Sequence, residues 1–191
     1  MAGQQQGYRI VPHNTYDQYR AYCLSTGINC DYAYGNQCMD TIMNLYYQYG
    51  KRLQAGPIGY AYEVWTNKRW QNNVFPFQMF EGARNIKRGD IVVFRAHGAY
   101  YTGHIAIADE DYRGGSTIRI LGQNQGQGIG WGAASNLINY NISYFLGGFH
   151  NKEWSTGPGP GPTPPTPGPS SNFKQGFPWY IYNKKFKNNH R

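Results

Sequence analysis

The spacing of apolar positions changes partway along the chain. In NQCMDTIMNLYYQYG, residues Cys38, Ile42, Leu45, Tyr46 and Tyr49 fall on one helical stripe. Asn36 is placed to cap that helix. Gly50 is placed to end it, with Lys51 and Arg52 at the negative end of the dipole. Upstream, TYDQ from Thr15 to Gln18 reads as a capping box for a shorter helix that ends near Gly27. From Ile91 the pattern becomes short runs of β-branched and aromatic residues: IVVF, HIAIA, TIRIL and SYFLGGF. Glycine-rich turns separate them, which predicts antiparallel strands. Helices first and a sheet second give an α+β fold, with N-terminal helices packed on an antiparallel β-sheet.

The pattern breaks at Ser155. STGPGPGPTPPTPGPSSN, residues 155–172, is a proline- and glycine-rich linker with nothing to bury. This predicts a folded domain over 1–154, the linker, and a short basic aromatic segment over 173–191. That last segment holds Phe173, Phe177, Trp179, Tyr180 and Tyr182 among five basic residues and no acid. The whole chain carries +8, so taking away the tail's five charges leaves +3 for the rest. The charge suits an anionic partner: nucleic acid, membrane surface or wall polymer. No nucleic-acid motif accompanies it, and no apolar run reaches membrane-spanning length. The N-terminus, MAGQQQGYRI, has no apolar core of a signal peptide. Aromatic residues make up 17% of the chain, too many for disorder.

Three cysteines, Cys23, Cys30 and Cys38, leave at least one thiol free within a monomer, and no CxxC points to zinc. Cys38 follows a glycine turn and opens a helix, where peptide dipoles favour a thiolate. His104, in GHIAIA, stands at a predicted strand start, which places it at the sheet rim. His13, His97, His150 and His190 compete with it as an acid–base group. Asn124 lies in LGQNQ, at the end of the following strand. Pairing HIAIA with TIRIL as a hairpin brings Asn124 to His104. A cysteine, a histidine and an orienting polar group make a nucleophilic site.

YGNQCMD, GDIVVF, GHIAIA and LGQNQ, in that order between about Thr15 and His150, resemble a CHAP domain, the cysteine, histidine-dependent amidohydrolase/peptidase family. The chain is similar to bacteriophage endolysins and related peptidoglycan hydrolases of Gram-positive hosts. That resemblance implies a papain-like α+β core, catalytic Cys38, His104 and Asn124, and cleavage of amide bonds in peptidoglycan. The implied substrate is the stem peptide, and the implied activity is that of an N-acetylmuramoyl-L-alanine amidase or an endopeptidase. It also gives Gln37 and Gln123 as oxyanion or substrate contacts. Several such endolysins carry a glutamate two residues before the asparagine, where this chain has Gly122. Such proteins are made in the host cytoplasm. They reach the wall after holin-dependent release, or act as part of a virion.

Some relatives bind structural calcium in the loop before the cysteine helix. The corresponding residues here are Asn29, Asp31 and Asp40 with side-chain oxygens, and Ala33 and Gly35 with backbone carbonyls. Asn29 stands where those relatives have Asp, one negative charge fewer. The other reading of the loop is an Asx-rich turn. No organic cofactor is expected. The tail, 173–191, is expected to contact anionic wall polymer or to pack back on the domain. The competing function is a catalytically silent cell-wall or glycan-binding module.

Overall fold

The computed structural model describes residues 12–126 and 133–154. The chain divides into units at Gly159, and every described residue lies in the first. The expected linker and tail lie outside the described residues. No described helix is long and apolar enough to cross a membrane.

Helix α1, Tyr16–Ser25, starts where expected, with the Thr15 hydroxyl accepting the Gln18 N–H. Helix α2 spans Cys38–Gln48. It closes as the sequence predicts. Gly50 sits at φ 63°, and the N–H groups of Gly50 and Lys51 return to the carbonyls of Tyr47 and Tyr46. Its start differs by one residue. Gln37 holds the cap position, and Asp40 accepts the Gln37 N–H at 2.8 Å. Asn36 instead donates its amide to the Ala133 carbonyl at 2.9 Å. The reason is that a carboxylate in the first turn satisfies an orphan N–H better than the Asn36 amide could. Two short helices follow, α3 over Glu63–Thr66 and α4 over Arg69–Asn72.

Six antiparallel strands form one sheet in the order β1-β6-β2-β3-β4-β5. The strands are β1 (Phe77–Phe80), β2 (Ile91–Phe94), β3 (His104–Ala108), β4 (Thr117–Gly122), β5 (Asn136–Asn141) and β6 (Phe145–Asn151). The α+β arrangement expected from the spacing is therefore present. Strands β2 and β3 are buried along their whole length, because each sheet face is covered. On one face Ile91, Val93, Ile105, Ile107 and Leu121 meet Ile42 and Leu45 of α2 and Tyr19 of α1. On the other, Val92, Phe94, Ala106, Ile118, Ile120 and Tyr140 pack with Ile86, Tyr100 and Phe145. That double burial explains why the central strands read as continuous apolar runs. Two glycines of β6 are set by close approach. A Cβ at Gly147 would stand 2.2 Å from the Trp65 ring, and one at Gly148 would stand 2.3 Å from the Ile91 carbonyl.

Candidate active site

The site lies where β4 leaves β3. The two strands pair Ile107 with Leu121 and Ala108 with Ile120. Continuing that register would set His104 opposite Asn124. The ladder stops first. Asn124 adopts a left-handed conformation, φ 51°, which asparagine tolerates better than most residues. The chain turns there, and three successive amide side chains leave in three directions.

Gln123 is buried. Its oxygen accepts the Ile28 N–H at 2.7 Å, and its nitrogen donates to the Ile28 carbonyl at 2.8 Å and the Gln37 carbonyl at 3.1 Å. Each end of that amide is engaged by backbone, so Gln123 is a clasp between β4, the loop before α2 and the start of α2. This corrects its expected place as an oxyanion or substrate contact. Asn124 does not reach the histidine. Its Nδ2 donates to Gln37 Oε1 at 2.7 Å, while Gln37 Nε2 donates to the Tyr34 carbonyl. Gln37 is thus tied on both ends of its amide and braces the turn that leads into α2. The amide at the imidazole belongs to Gln125, whose Oε1 lies 2.7 Å from His104 Nε2. Asparagine is a turn-former, which hints at the turn but not at which neighbour meets His104.

His104 is 1% exposed. Its ring stacks on Tyr140 of β5, with centroids 5.3 Å apart, and lies 5.2 Å from Tyr100. Burial draws its pKa down to about 4, against the opposing hydrogen bond to Gln125. His97 is held elsewhere, with Nε2 2.7 Å from the Tyr140 hydroxyl and its ring stacked on Tyr144. His150 pairs with Asp90 at 2.9 Å.

Cys38 is the first residue of α2, and α2 lies against β3. The residue is half-buried. Burial pushes its thiol up to about 11, although N–H groups of Ile105 and Met39 at the sulfur oppose the rise. Ile105 follows His104 directly, so the sulfur sits at the strand start that carries the imidazole. Desolvation works against the thiolate expected from the helix start, and both shifts favour a neutral pair. Cys23 is fully buried, and the Cys30 thiol donates to the Asp40 carbonyl at 3.3 Å.

The loop before α2 contains left-handed Tyr32, Tyr34 and Gly35. Asp31 Oδ1 accepts the Ala33 N–H at 2.8 Å, and Asp40 accepts N–H groups of Cys30 and Gln37 with its two oxygens. Asn29 Oδ1 is buried with no hydrogen-bond partner. Burial, then the charge of Asp31, raises the Asp40 carboxyl to about 6 against backbone donors at Gln37, Cys30 and Asp31. An orphaned amide oxygen two residues before Asp31, whose charge reaches Asp40, fits a hard cation that takes oxygen ligands. Among the described residues no three His, Cys, Asp or Glu side chains form a metal site, so the donor set would mix carboxylate, amide and backbone oxygens.

Residues 27–124, just over half of the chain, match the family described as the CHAP domain. The crystal structure of the wild type endolysin LysIME-EF1 matches with a TM-score of 0.55 at 24% identity. The match covers 72% of this chain and 64% of that one, less than two thirds of that protein's length. At that identity the likeness is one of fold. No curated protein matches the chain.

His104 gives the site a measurable stability signature. Its folded pKa, about 4, lies below the unfolded 6.5. A histidine depressed in this way contributes stability above pH 6.5 and loses it as pH falls towards 4. The unfolding free energy of the parent relative to His104→Gln should fall by about 3 kcal/mol across that interval in urea titrations. A difference that stays level with pH would contradict the neutral buried imidazole.

Proposed function

The chain belongs to the CHAP-domain family, and from that premise we propose that it is a peptidoglycan hydrolase that cleaves amide bonds of the bacterial wall through Cys38 and His104. The observation that carries this reading is that α2, which opens with Cys38, lies against β3, which opens with His104.

The chemistry follows from the neutral pair. His104 Nε2 is occupied by Gln125, which leaves Nδ1 to take the thiol proton. The sulfur attacks the amide carbonyl, and the carbonyl π electrons move to oxygen. Cys38 is the first helical residue, and its backbone N–H is one of those the helix itself does not bond, so it can stabilise that oxyanion. When the oxyanion collapses, the C–N bond breaks and the imidazolium returns its proton to the leaving amine. Water, deprotonated by the same nitrogen, then hydrolyses the thioester and frees the thiol. The substrate is the peptide part of peptidoglycan, and susceptible Gram-positive cells are the expected target. The basic segment 173–191 supports retention on anionic wall polymer. Calcium held by Asn29, Asp31, Asp40 and the carbonyls of Ala33 and Gly35 would brace the loop that sets α2. It would take no part in the reaction.

Purified protein should clear a suspension of Gram-positive cells and release new amino and carboxyl groups, located by mass spectrometry of the fragments. Cys38→Ala should lose clearing by at least about a hundredfold while keeping its circular dichroism, as expected when a covalent nucleophile is removed. Equal clearing by Cys38→Ala would overturn the assignment, and binding to walls without new termini would favour a silent binding module. Chelation should lower both the melting temperature and the rate, with recovery on adding Ca²⁺. No change in either would remove the ion.

A further inference from the structure

We propose that Gln125 is the positioning residue for the imidazole: its amide fixes the His104 tautomer with the proton on Nε2 and leaves Nδ1 basic. The inference rests on the reading of His104 as the general base.

The direction of the amide is settled by its second contact. Gln125 is 0% exposed, and its Nε2 donates to the Asn136 carbonyl at 2.9 Å. A backbone carbonyl only accepts, so the NH₂ end of the amide must face Asn136. The oxygen end then faces the ring, 2.7 Å from His104 Nε2. An amide oxygen also only accepts, so ring Nε2 must carry the proton. In a neutral imidazole the lone pair is then on Nδ1. Reversing the amide would set two acceptors against each other at Asn136. The amide cannot drift, because Asn136 Nδ2 also donates to the Gln125 carbonyl at 3.2 Å. The clamp is built on the first residue of β5.

Gly122 is the second half of the arrangement. A Cβ at that position would lie 2.8 Å from Gln125 Oε1 and 3.3 Å from the Ala106 Cβ. The absence of a side chain at 122 is what admits the amide. The place left by the missing acid is filled, in space, from three residues further along the chain. The filler is neutral. Among the described residues, the titratable groups around the ring are Tyr140 from β5 and Tyr100 and His97 from the β2–β3 connection, with the Cys38 thiol of α2 by the adjoining Ile105. None of these supplies a carboxylate to charge the imidazole, so orientation rather than charge is what Gln125 contributes.

The test reads the tautomer directly. The full chain carrying Cys38→Ala, labelled with ¹⁵N-histidine, should show a protonated Nε2 and an unprotonated Nδ1 for His104 at neutral pH. Adding Gln125→Leu should give a mixture of tautomers with unchanged circular dichroism. In the active protein Gln125→Leu should lower kcat by at least about tenfold with KM little changed, as for other residues that hold a catalytic base. Gly122→Ala should act in the same direction, by pushing the amide off the ring. Gln125→Glu, which also accepts from Nε2–H, should keep the tautomer and move the acidic limb of the pH profile upward. A proton on Nδ1 in the parent, or a tautomer indifferent to Gln125→Leu in a folded chain, would overturn the proposal. Failure of the catalytic reading would be seen separately, as lysis by Cys38→Ala, and would leave the tautomer result standing.

Discussion

The site depends on one buried turn. Gln123, Asn124 and Gln125 follow each other at the end of β4, and each amide reaches a different part of the molecule. Gln123 holds the backbone at Ile28 and Gln37, Asn124 holds the Gln37 side chain, and Gln125 holds the His104 ring. A neutral hydrogen bond adds only about 1 kcal/mol, but a buried partner left unsatisfied costs about 1–3 kcal/mol. The clasp is therefore enforced by the penalty for breaking it. It joins the start of α2 to the start of β3, two segments far apart in sequence, and so sets where the thiol and the imidazole stand.

The same burial that makes the clasp strong decides the charge state of the pair. Desolvation raises the thiol and lowers the imidazole, so both effects favour neutral groups. N–H groups at the sulfur and the amide at the ring offset part of this without reversing it. Burial of this kind works against a stored thiolate. In the proposed reaction, proton transfer accompanies attack on the carbonyl, and the nitrogen that receives the proton is the unprotonated one. That requirement gives a neutral amide at the ring a role that charge alone would not explain.

Much of this was legible in the sequence, for physical reasons that differ by element. The α2 stripe and its glycine stop were readable because one helical face and one left-handed residue suffice to define them. β2 and β3 were readable because burial on both sheet faces leaves continuous apolar runs, and β4 because Thr117, Ile118, Arg119 and Ile120 alternate exposed and buried. β1 and β5 were not, since FQMF is short and half of NLINYN is asparagine, with only Tyr140 fully turned inward. The cap of α2 shifted from Asn36 to Gln37 because Asp40 reaches back. Asn124 was assigned to the ring by extending the hairpin register, and a single positive φ at that residue handed the contact to Gln125. Distances between side chains in a turn depend on one dihedral, and pattern alone does not carry it.

The central claim is that thiol and imidazole act as one unit. It is tested most directly by the rate at which iodoacetamide alkylates Cys38 near neutral pH, followed by peptide mass mapping that separates it from Cys23 and Cys30. Coupling to a base requires His104→Ala to slow alkylation of Cys38 by at least about tenfold in a folded chain. Equal rates in the parent and His104→Ala would show that the sulfur reacts without the ring, and would contradict it.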